Sequence, residues 1–357
     1  MSRFVVNAGN YPIYISSNLE EEWKNWVSAF SFNPSKVALV MDSNVATYCY
    51  PKLKAMHAYF GTLPTLILPP DDLNKNLFYL EKCWHFFHEH QLDRRSCVIA
   101  FGGGMVGDLC GFAAATYHRG IAMVQIPTTL LAMVDASVGG KTAINYNQVK
   151  NLIGVFRKPE AVFIDPVWLH TLPVRELYAG YAEVIKHALI TGGGSYKRLL
   201  ATVPPLANNL YQVICDSVKI KRDIVVADFK ERKYRKVLNF GHTIGHAIES
   251  TSLIYDETPL KHGEAIAMGM IAELYLSHKL CGFPLETFEQ LNEYIQLFFS
   301  NKFNYDIKNV AHFVHLDKKN FNNQNNFVLL SNIGKPEIDV AVSDELIYES
   351  LDQLQKI

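Results

Sequence analysis

The chain has 357 residues, 34 Lys and Arg against 35 Asp and Glu, 13 His, and a formal net charge of −1. That length exceeds what one hydrophobic core usually supports, and a hydrophobic content of 49% excludes wholesale disorder. The charge balance excludes a general nucleic-acid or membrane-surface binder but leaves room for a local cationic pocket.

Met1 to Asn7 carries no apolar signal core, and the longest apolar run, Ala265 to Leu276, is interrupted by Glu273. The six cysteines, Cys49, Cys83, Cys97, Cys110, Cys215 and Cys281, form no CxxC pair and read as buried thiols of a reducing compartment. A soluble cytoplasmic protein with no membrane partner is expected.

In chain order, Lys36 to Met41 reads as a buried strand ending at Asp42, and Thr65 to Leu68 as a second. Leu77 to His90 reads as a helix, then Cys97 to Phe101, Ile121 to Ile126 and Ala161 to Ile164 as further strands. Strands alternating with helices imply a mostly parallel sheet covered by helices. From Arg175 onward the periodicity becomes helical, over 175–190, 205–227, 239–251, 262–281 and 285–299, with one strand-like run at Phe327 to Leu330. This change places a domain boundary near 170–175, dividing an α/β domain over 1–174 from a helical domain over 175–357. The Asn-rich stretch 320–326 reads as a solvated turn.

Gly102, Gly104 and Gly107 satisfy G-x-G-x-x-G between a strand and a helix, where backbone N–H groups can approach a pyrophosphate. The usual acidic residue about twenty positions on is missing, and the loop follows the third predicted strand rather than the first. Asp42 and Asn44, after the first, could hold a ribose, so a dinucleotide in a non-standard frame is expected. Gly139-Gly140-Lys141-Thr142 resembles the end of a phosphate loop, but Asp135 stands where its first glycine is needed. Nucleotide hydrolysis is excluded on that ground, and Lys141 remains a candidate anion ligand.

His242 and His246, four apart, share one helix face, with Glu249 beyond them. Imidazoles at this spacing suit Zn²⁺ or a similar ion. His262 with Glu264, and Glu183 with Lys186 and His187, are further candidate clusters. The His-dense run Trp84 to His90 ends an amphipathic helix and reads as structural. Arg119, Lys141, Lys150, Lys186, Lys221 and Arg235 lie beside these motifs and suggest a small polyanionic substrate.

The segments 100–108, 127–132, 134–141, 150–154, 171–173, 180–186, 238–249 and 262–265 together resemble the 3-dehydroquinate synthases over about 40 to 335. The resemblance implies a Rossmann-like NAD-binding α/β domain followed by an all-α metal-binding domain, and a homodimer in which Arg119 reaches the neighbouring active site. It implies Zn²⁺ (or Co²⁺) on Glu183, His242 and His262, which moves His246 from metal ligand to substrate partner. NAD⁺ contacts carry over to Asp42, Asn44, Asp72, Lys75, Gly103, Gly104, Asp108, Thr128, Thr129, Lys141, Lys150 and Thr171. Catalytic positions carry over to Asp135, Lys141, Lys186, Lys221, Glu231 and His246, and substrate contacts to Arg119, Asn151, Arg235, Asn239 and Lys318.

The implied activity converts 3-deoxy-D-arabino-heptulosonate 7-phosphate (DAHP) to 3-dehydroquinate and phosphate, in the shikimate pathway to aromatic amino acids. It proceeds by transient oxidation through NAD⁺, phosphate elimination, reduction and intramolecular aldol closure. The alternatives are another sugar-phosphate cyclase or a metal- and NAD-dependent polyol dehydrogenase. The sequence departs from the family at Asp71-Asp72, where Gly-Glu is usual, and at Phe229, where an acid is usual, although Glu231 remains. Ala136 replaces a common Ser, and Tyr146 and Val149 alter the loop before Lys150-Asn151.

Overall fold

The computed structural model describes residues 3–29, 33–147, 149–201, 210–300, 302–315 and 325–356. They form two compact units, Met1–Pro173 with Lys221–Val226, and Val174–Ile220 with Ala227–Ile357.

In the first unit the chain makes β1 (Arg3–Asn7), β2 (Pro12–Ser16), β3 (Val37–Asp42), β4 (Thr65–Leu68), β5 (Cys97–Gly102), β6 (Ala122–Pro127), β7 (Lys141–Tyr146), β8 (Val149–Phe156) and β9 (Ala161–Ile164). Seven of these form one sheet in the order β1-β2-β9-β6-β5-β3-β4. All its pairings are parallel except the β1–β2 edge. All six residues of β5 are buried, as expected of a central strand covered on both faces. Beneath one face Val40, Val98 and Ala100 pack with Leu80, Cys83 and Phe87 of the helix Leu77–Glu89 and with Leu109 and Ala113 of the helix Gly104–Thr116.

Chain order and spatial order part company twice: β2 lies beside β9 rather than β3, and β4 and β5 lie on opposite sides of β3. The chain therefore reverses direction across the sheet between β3 and β5, and ligands of open α/β sheets bind beyond the strand ends at such a reversal. This resolves the non-standard frame, because the glycine loop leaves the strand adjacent to the one that ends at Asp42.

β7 and β8 form a separate antiparallel hairpin packed on the helix Gly104–Thr116. Gly111 makes that approach possible, since a Cβ there would lie 2.4 Å from Thr142 Cγ2. Neither this hairpin nor β1–β2 shows as a sustained apolar run or a clean alternation in the sequence.

The second unit is helical: Val174–Thr191, Gly193–Ala201, Leu210–Ala227 (whose Lys221–Val226 stretch belongs to the first unit), His242–Tyr255, His262–Cys281, Leu285–Gln296, Ile307–His315 and Asp344–Gln355. One antiparallel hairpin joins them, β10 (Asn325–Asn332) with β11 (Lys335–Val342), where the sequence reads a single strand-like run. The helix His262–Cys281 is buried from Gly263 to Ser277, as a helix at the centre of a bundle must be. Glu273 inside it accepts from the backbone N–H groups of Gly241 (2.6 Å), Thr243 (3.0 Å) and Ile244 (3.2 Å). A buried carboxylate thus satisfies the open donors at the start of the His242–Tyr255 helix. Among the described residues no helix is long and apolar enough to cross a membrane.

Candidate active site

In the first unit the nucleotide candidates gather at the carboxyl ends of the strands. Asp42 ends β3, and its Oδ1 accepts from the Asn44 (2.9 Å) and Val45 (3.0 Å) N–H groups, capping the next short helix. Burial holds its pKa above the ordinary value against those two bonds. The Asn44 side chain is exposed. Gly102 ends β5, Gly103 precedes the helix Gly104–Thr116 without a side-chain cap, and a Cβ at Gly103 would lie 3.1 Å from Thr129 Cγ2. Gly102, Gly103, Gly104 and Gly107 line a narrow cleft with Pro127 and Ala136. The Thr128 N–H bonds the Gly102 carbonyl at 3.0 Å. Thr171 Oγ1 lies 3.8 Å from Cys49 Sγ, at the end of the helix that Asp42 caps.

Asp72, Lys75, Asp108 and Lys150 form one network. Lys75 Nζ, buried, pairs with Asp72 at 3.0 Å and Asp108 at 3.1 Å, and Lys150 reaches Asp72 at 3.3 Å. Asn145 donates to the Asp72 carbonyl at 3.0 Å and accepts from the Asn151 N–H at 2.9 Å, which ties this loop to the β7–β8 hairpin. Burial works against the charge on Asp72, yet Lys75 and Lys150 hold its pKa down to about 2. Burial raises the Asp108 carboxyl despite Lys75.

The departure at Asp71 has a visible consequence. Its φ is 88°, a region that favours glycine, the residue the resemblance implies at this position. Such strain is worth ~1–3 kcal/mol, partly offset by the bond Asp71 accepts from the Leu73 N–H at 3.2 Å. Asp71→Gly is therefore expected to stabilise the protein by about 1 kcal/mol. A denaturant titration checks this, and an unchanged or lower midpoint would contradict it.

Lys221 Nζ binds Asp135 twice, at 2.5 Å to Oδ1 and 2.7 Å to its carbonyl. Asp135 sits in a π-helical turn, Ala132–Ala136, a distortion frequent at functional sites. Lys141 opens β7 and is exposed. Arg119 is exposed on the turn after the helix Gly104–Thr116. Arg119 (φ 66°), Asn151 (φ 52°) and Glu231 (φ 56°) are all held in the left-handed region, where non-glycine strain tends to mark function.

In the second unit three helices meet at Glu183. Its Oε1 lies 3.4 Å from His242 Nε2 and 3.5 Å from His262 Nε2. These separations exceed a good hydrogen bond. Glu183 is 1% exposed and forms an ion pair with buried Lys186. A buried carboxylate whose Oε2 meets an ammonium and whose Oε1 is faced by two imidazole nitrogens beyond good hydrogen-bond distance is an arrangement that a divalent ion would complete. The other ring nitrogens are also engaged: His242 Nδ1 lies 3.0 Å from the Phe240 carbonyl and His262 Nδ1 lies 3.4 Å from Glu249. Partners of that kind orient metal-binding imidazoles. Burial, then Lys186, lowers the His242 pKa to about 4. Burial opposes charge on His262 too, but Glu249 and Glu183 outweigh it and raise the pKa to about 9. Glu183 is held well below the usual carboxylate range by Lys186 and His242, against the effect of burial.

A second set, His246, Glu249 and His262, is also close enough to hold an ion. We favour the first. Glu249 faces the opposite nitrogen of His262, as an orienting partner would, and His246 is exposed with its ring 5.1 Å from that of His242. Glu249 in the role of orienting group, and Glu273 beneath His242, escaped the sequence, because only the fold brings them to these helices.

Arg235 is 2% exposed and donates Nη1 to the Phe229 carbonyl at 2.7 Å. The substitution at Phe229 therefore falls on a residue engaged through its backbone. Asn239 Nδ2 reaches Glu231 at 3.4 Å. His85, His88, Glu89 and His90 are exposed. Lys318 lies outside the described residues.

A nucleotide-type α/β unit joined to a helical unit with a Glu-His-His cluster defines a class of two-unit, metal- and NAD-dependent enzymes. Family models described as 3-dehydroquinate synthase N-terminal and C-terminal match residues 65–179 and 180–320. A 3-dehydroquinate synthase of Parabacteroides distasonis is 41% identical over 345 residues, 95% of this chain and 96% of that protein. Among solved structures, 2-deoxy-scyllo-inosose synthase complexed with carbaglucose-6-phosphate, NAD⁺ and Co²⁺ superposes with a TM-score of 0.83 at 25% identity, covering 99% of both chains. A 2-epi-5-epi-valiolone synthase from Streptomyces hygroscopicus with NAD⁺ and Zn²⁺ shares the fold, with a TM-score of 0.82 at 22% identity over 100% of this chain and 99% of that one. The chain belongs to the 3-dehydroquinate synthase family.

Proposed function

We propose that this chain converts DAHP to 3-dehydroquinate and phosphate, with NAD⁺ and Zn²⁺ or Co²⁺. The observation that carries the reading is the convergence of His242 and His262 Nε2 on Glu183 Oε1, in a chain 41% identical to a named 3-dehydroquinate synthase. Bound there, the metal would supply Lewis acidity to a substrate hydroxyl, and NAD⁺ would supply a reversible hydride acceptor.

The residues of the chain do the rest. Glu183, His242 and His262 hold the ion, and Glu249 turns the His262 ring toward it. Lys186 and Glu231 are catalytic groups, and Lys221 with Asp135 orients the substrate as a pre-formed pair. Arg235 offers its fork to the substrate carboxylate and Asn239 a hydroxyl contact. Lys141 and His246 bind the phosphate, with His246 a site for proton transfer, and Asn151 and Lys318 are further substrate contacts. Asp42, Asn44, Gly103, Gly104, Thr128, Thr129 and Thr171 receive NAD⁺, with the Asp72–Lys75–Asp108–Lys150 network and Lys141 alongside. We assign residues 1–174 as the NAD-binding domain and 175–357 as the metal- and substrate-binding domain.

Arg235 separates this reading from a cyclase of carboxylate-free sugars, whose substrate offers a buried guanidinium no carboxylate to bind. DAHP, and not a carboxylate-free hexose 6-phosphate, is expected to turn over. Arg235→Lys keeps the charge and loses the planar fork, so KM for DAHP is expected to rise about tenfold or more. Turnover of the hexose phosphate, or an unchanged KM, would overturn the assignment.

The chain functions as a cytoplasmic homodimer. All six cysteines are free thiols and five are buried, which suits a reducing compartment. β8 exposes Val149, Leu152, Ile153, Val155 and Phe156, each between 38% and 43%, on both of its faces. A second copy would cover this apolar hairpin, and the turn bearing Arg119 adjoins its end through the bond from Arg157 to the Ile121 carbonyl. Leu152→Asp with Ile153→Asp is expected to give a monomer by light scattering; a persisting dimer would exclude this surface.

A further inference from the structure

The first turn of the helix His262–Cys281 lies against one stripe of the helix Val174–Thr191. Arg175, Ala179 and Glu183 recur every four residues and so share a face. Opposite them stand Glu264, Gly263 and His262. Arg175 donates Nε to Glu264 Oε1 and Nη2 to Oε2, each at 2.7 Å, a bidentate fork. The same Nη2 reaches the Pro259 carbonyl at 3.1 Å, in the segment leading to His262. Ala179 presses on Gly263 so closely that a Cβ there would lie 2.0 Å from its carbonyl oxygen. The third contact along the stripe is Glu183 Oε1 with His262 Nε2.

His262 is the first residue of its helix, where the backbone N–H groups lack intrahelical partners and the chain is free to fray. Glu264 closes this turn on itself by accepting from the Lys261 N–H at 2.7 Å. That local box does nothing to fix the turn relative to Glu183. The Arg175 fork, the Lys261–Glu176 ion pair at 2.9 Å and the Ala179–Gly263 contact do so, and of these the fork, with two parallel bonds to one carboxylate, is the most directional.

We propose that Arg175 is a positioning residue for the metal site: its fork on Glu264 locks the turn carrying His262 to the helix carrying Glu183. The inference rests on the metal reading of Glu183, His242 and His262. Losing the lock divides the population between presented and unpresented His262, and apparent metal affinity falls by the fraction presented. Groups that support ligands in this way typically contribute ~10–100-fold in affinity. The Arg175 side chain is 40% exposed and lines a cavity of about 530 Å³ with Asp256, Lys302 and Tyr305, so a small cation can reach its place.

The test is Co²⁺ titration of the full chain, followed by cobalt absorption, with NAD⁺ affinity read in parallel. Arg175→Ala is expected to weaken Co²⁺ binding about 10–100-fold and leave NAD⁺ binding unchanged. Arg175→Lys, with one ammonium for the fork, is expected to lie between. Millimolar guanidinium, and not potassium, is expected to restore Co²⁺ binding to Arg175→Ala. Should that variant not fold, Glu264→Gln carries the same expectation of weakened binding. A lowered unfolding temperature with Co²⁺ affinity intact would overturn the inference. A wild-type chain that binds no Co²⁺ would instead overturn the metal reading beneath it.

Discussion

His242→Ala is expected to abolish stoichiometric metal binding and to lower turnover by about 10³-fold or more, while the fold is retained. The magnitude follows from the several kcal/mol that a Lewis acid contributes to charge stabilisation, at 1.36 kcal/mol per factor of ten. Retention of the fold follows from the local architecture. The start of the His242–Tyr255 helix is held by three backbone bonds to buried Glu273, none of which uses the imidazole. The ring instead spans from the Phe240 carbonyl to Glu183, so its loss empties one coordination position and leaves the backbone in place. Elemental analysis with circular dichroism checks this. Intact metal at full occupancy, together with wild-type turnover, would remove His242 from the site.

Lys186→Met is expected to destabilise the metal-free protein by about 3–5 kcal/mol, the range for breaking one side of a buried ion pair. Glu183 is 1% exposed and Lys186 is 2% exposed, so removing the ammonium strands a carboxylate that water cannot reach. A metal ion at Glu183 supplies positive charge of its own, so added Zn²⁺ is expected to recover a large part of the loss. Urea titrations with chelator and with Zn²⁺ separate the two states. Equal stability of Lys186→Met and the wild type under chelator would show that Glu183 does not depend on this partner. Loss of turnover is expected in both states, since Lys186 is assigned to the substrate as well.

The two units differ in how far their sequence discloses them. The central strands β3, β5, β6 and β9 announce themselves as continuous apolar runs because both of their faces are covered. Their spatial order does not, because nothing in the chain says that β5 returns to lie beside β3. The glycine loop therefore looks displaced in sequence and falls at the sheet's reversal in space. The β7–β8 hairpin is hidden in the sequence for the converse reason. Its apolar residues lie on exposed faces of β8 and follow neither a buried run nor a clean alternation.

At the Glu183 cluster, His242, His246 and His262 are legible as residue types, but spacing alone pairs His242 with His246. His242 and His246 share a helix face, whereas the nitrogens that converge on Glu183 come from His242 and His262 on separate helices. Glu249, Glu273 and Arg175 act on this cluster from other helices or other turns, and only the packing brings them there. Asp71 could be seen as a departure from its relatives, but that it departs at a backbone angle suited to glycine required the structure.

In the proposed reaction NAD⁺ is consumed and regenerated within one turnover while phosphate leaves. Phosphate release and absorbance of NADH should therefore be followed together, with DAHP in excess over NAD⁺ and with Zn²⁺ present. The expected result is one phosphate and one 3-dehydroquinate for each DAHP consumed, with no net NADH. NADH accumulating in step with DAHP consumption, or no phosphate released, would contradict it.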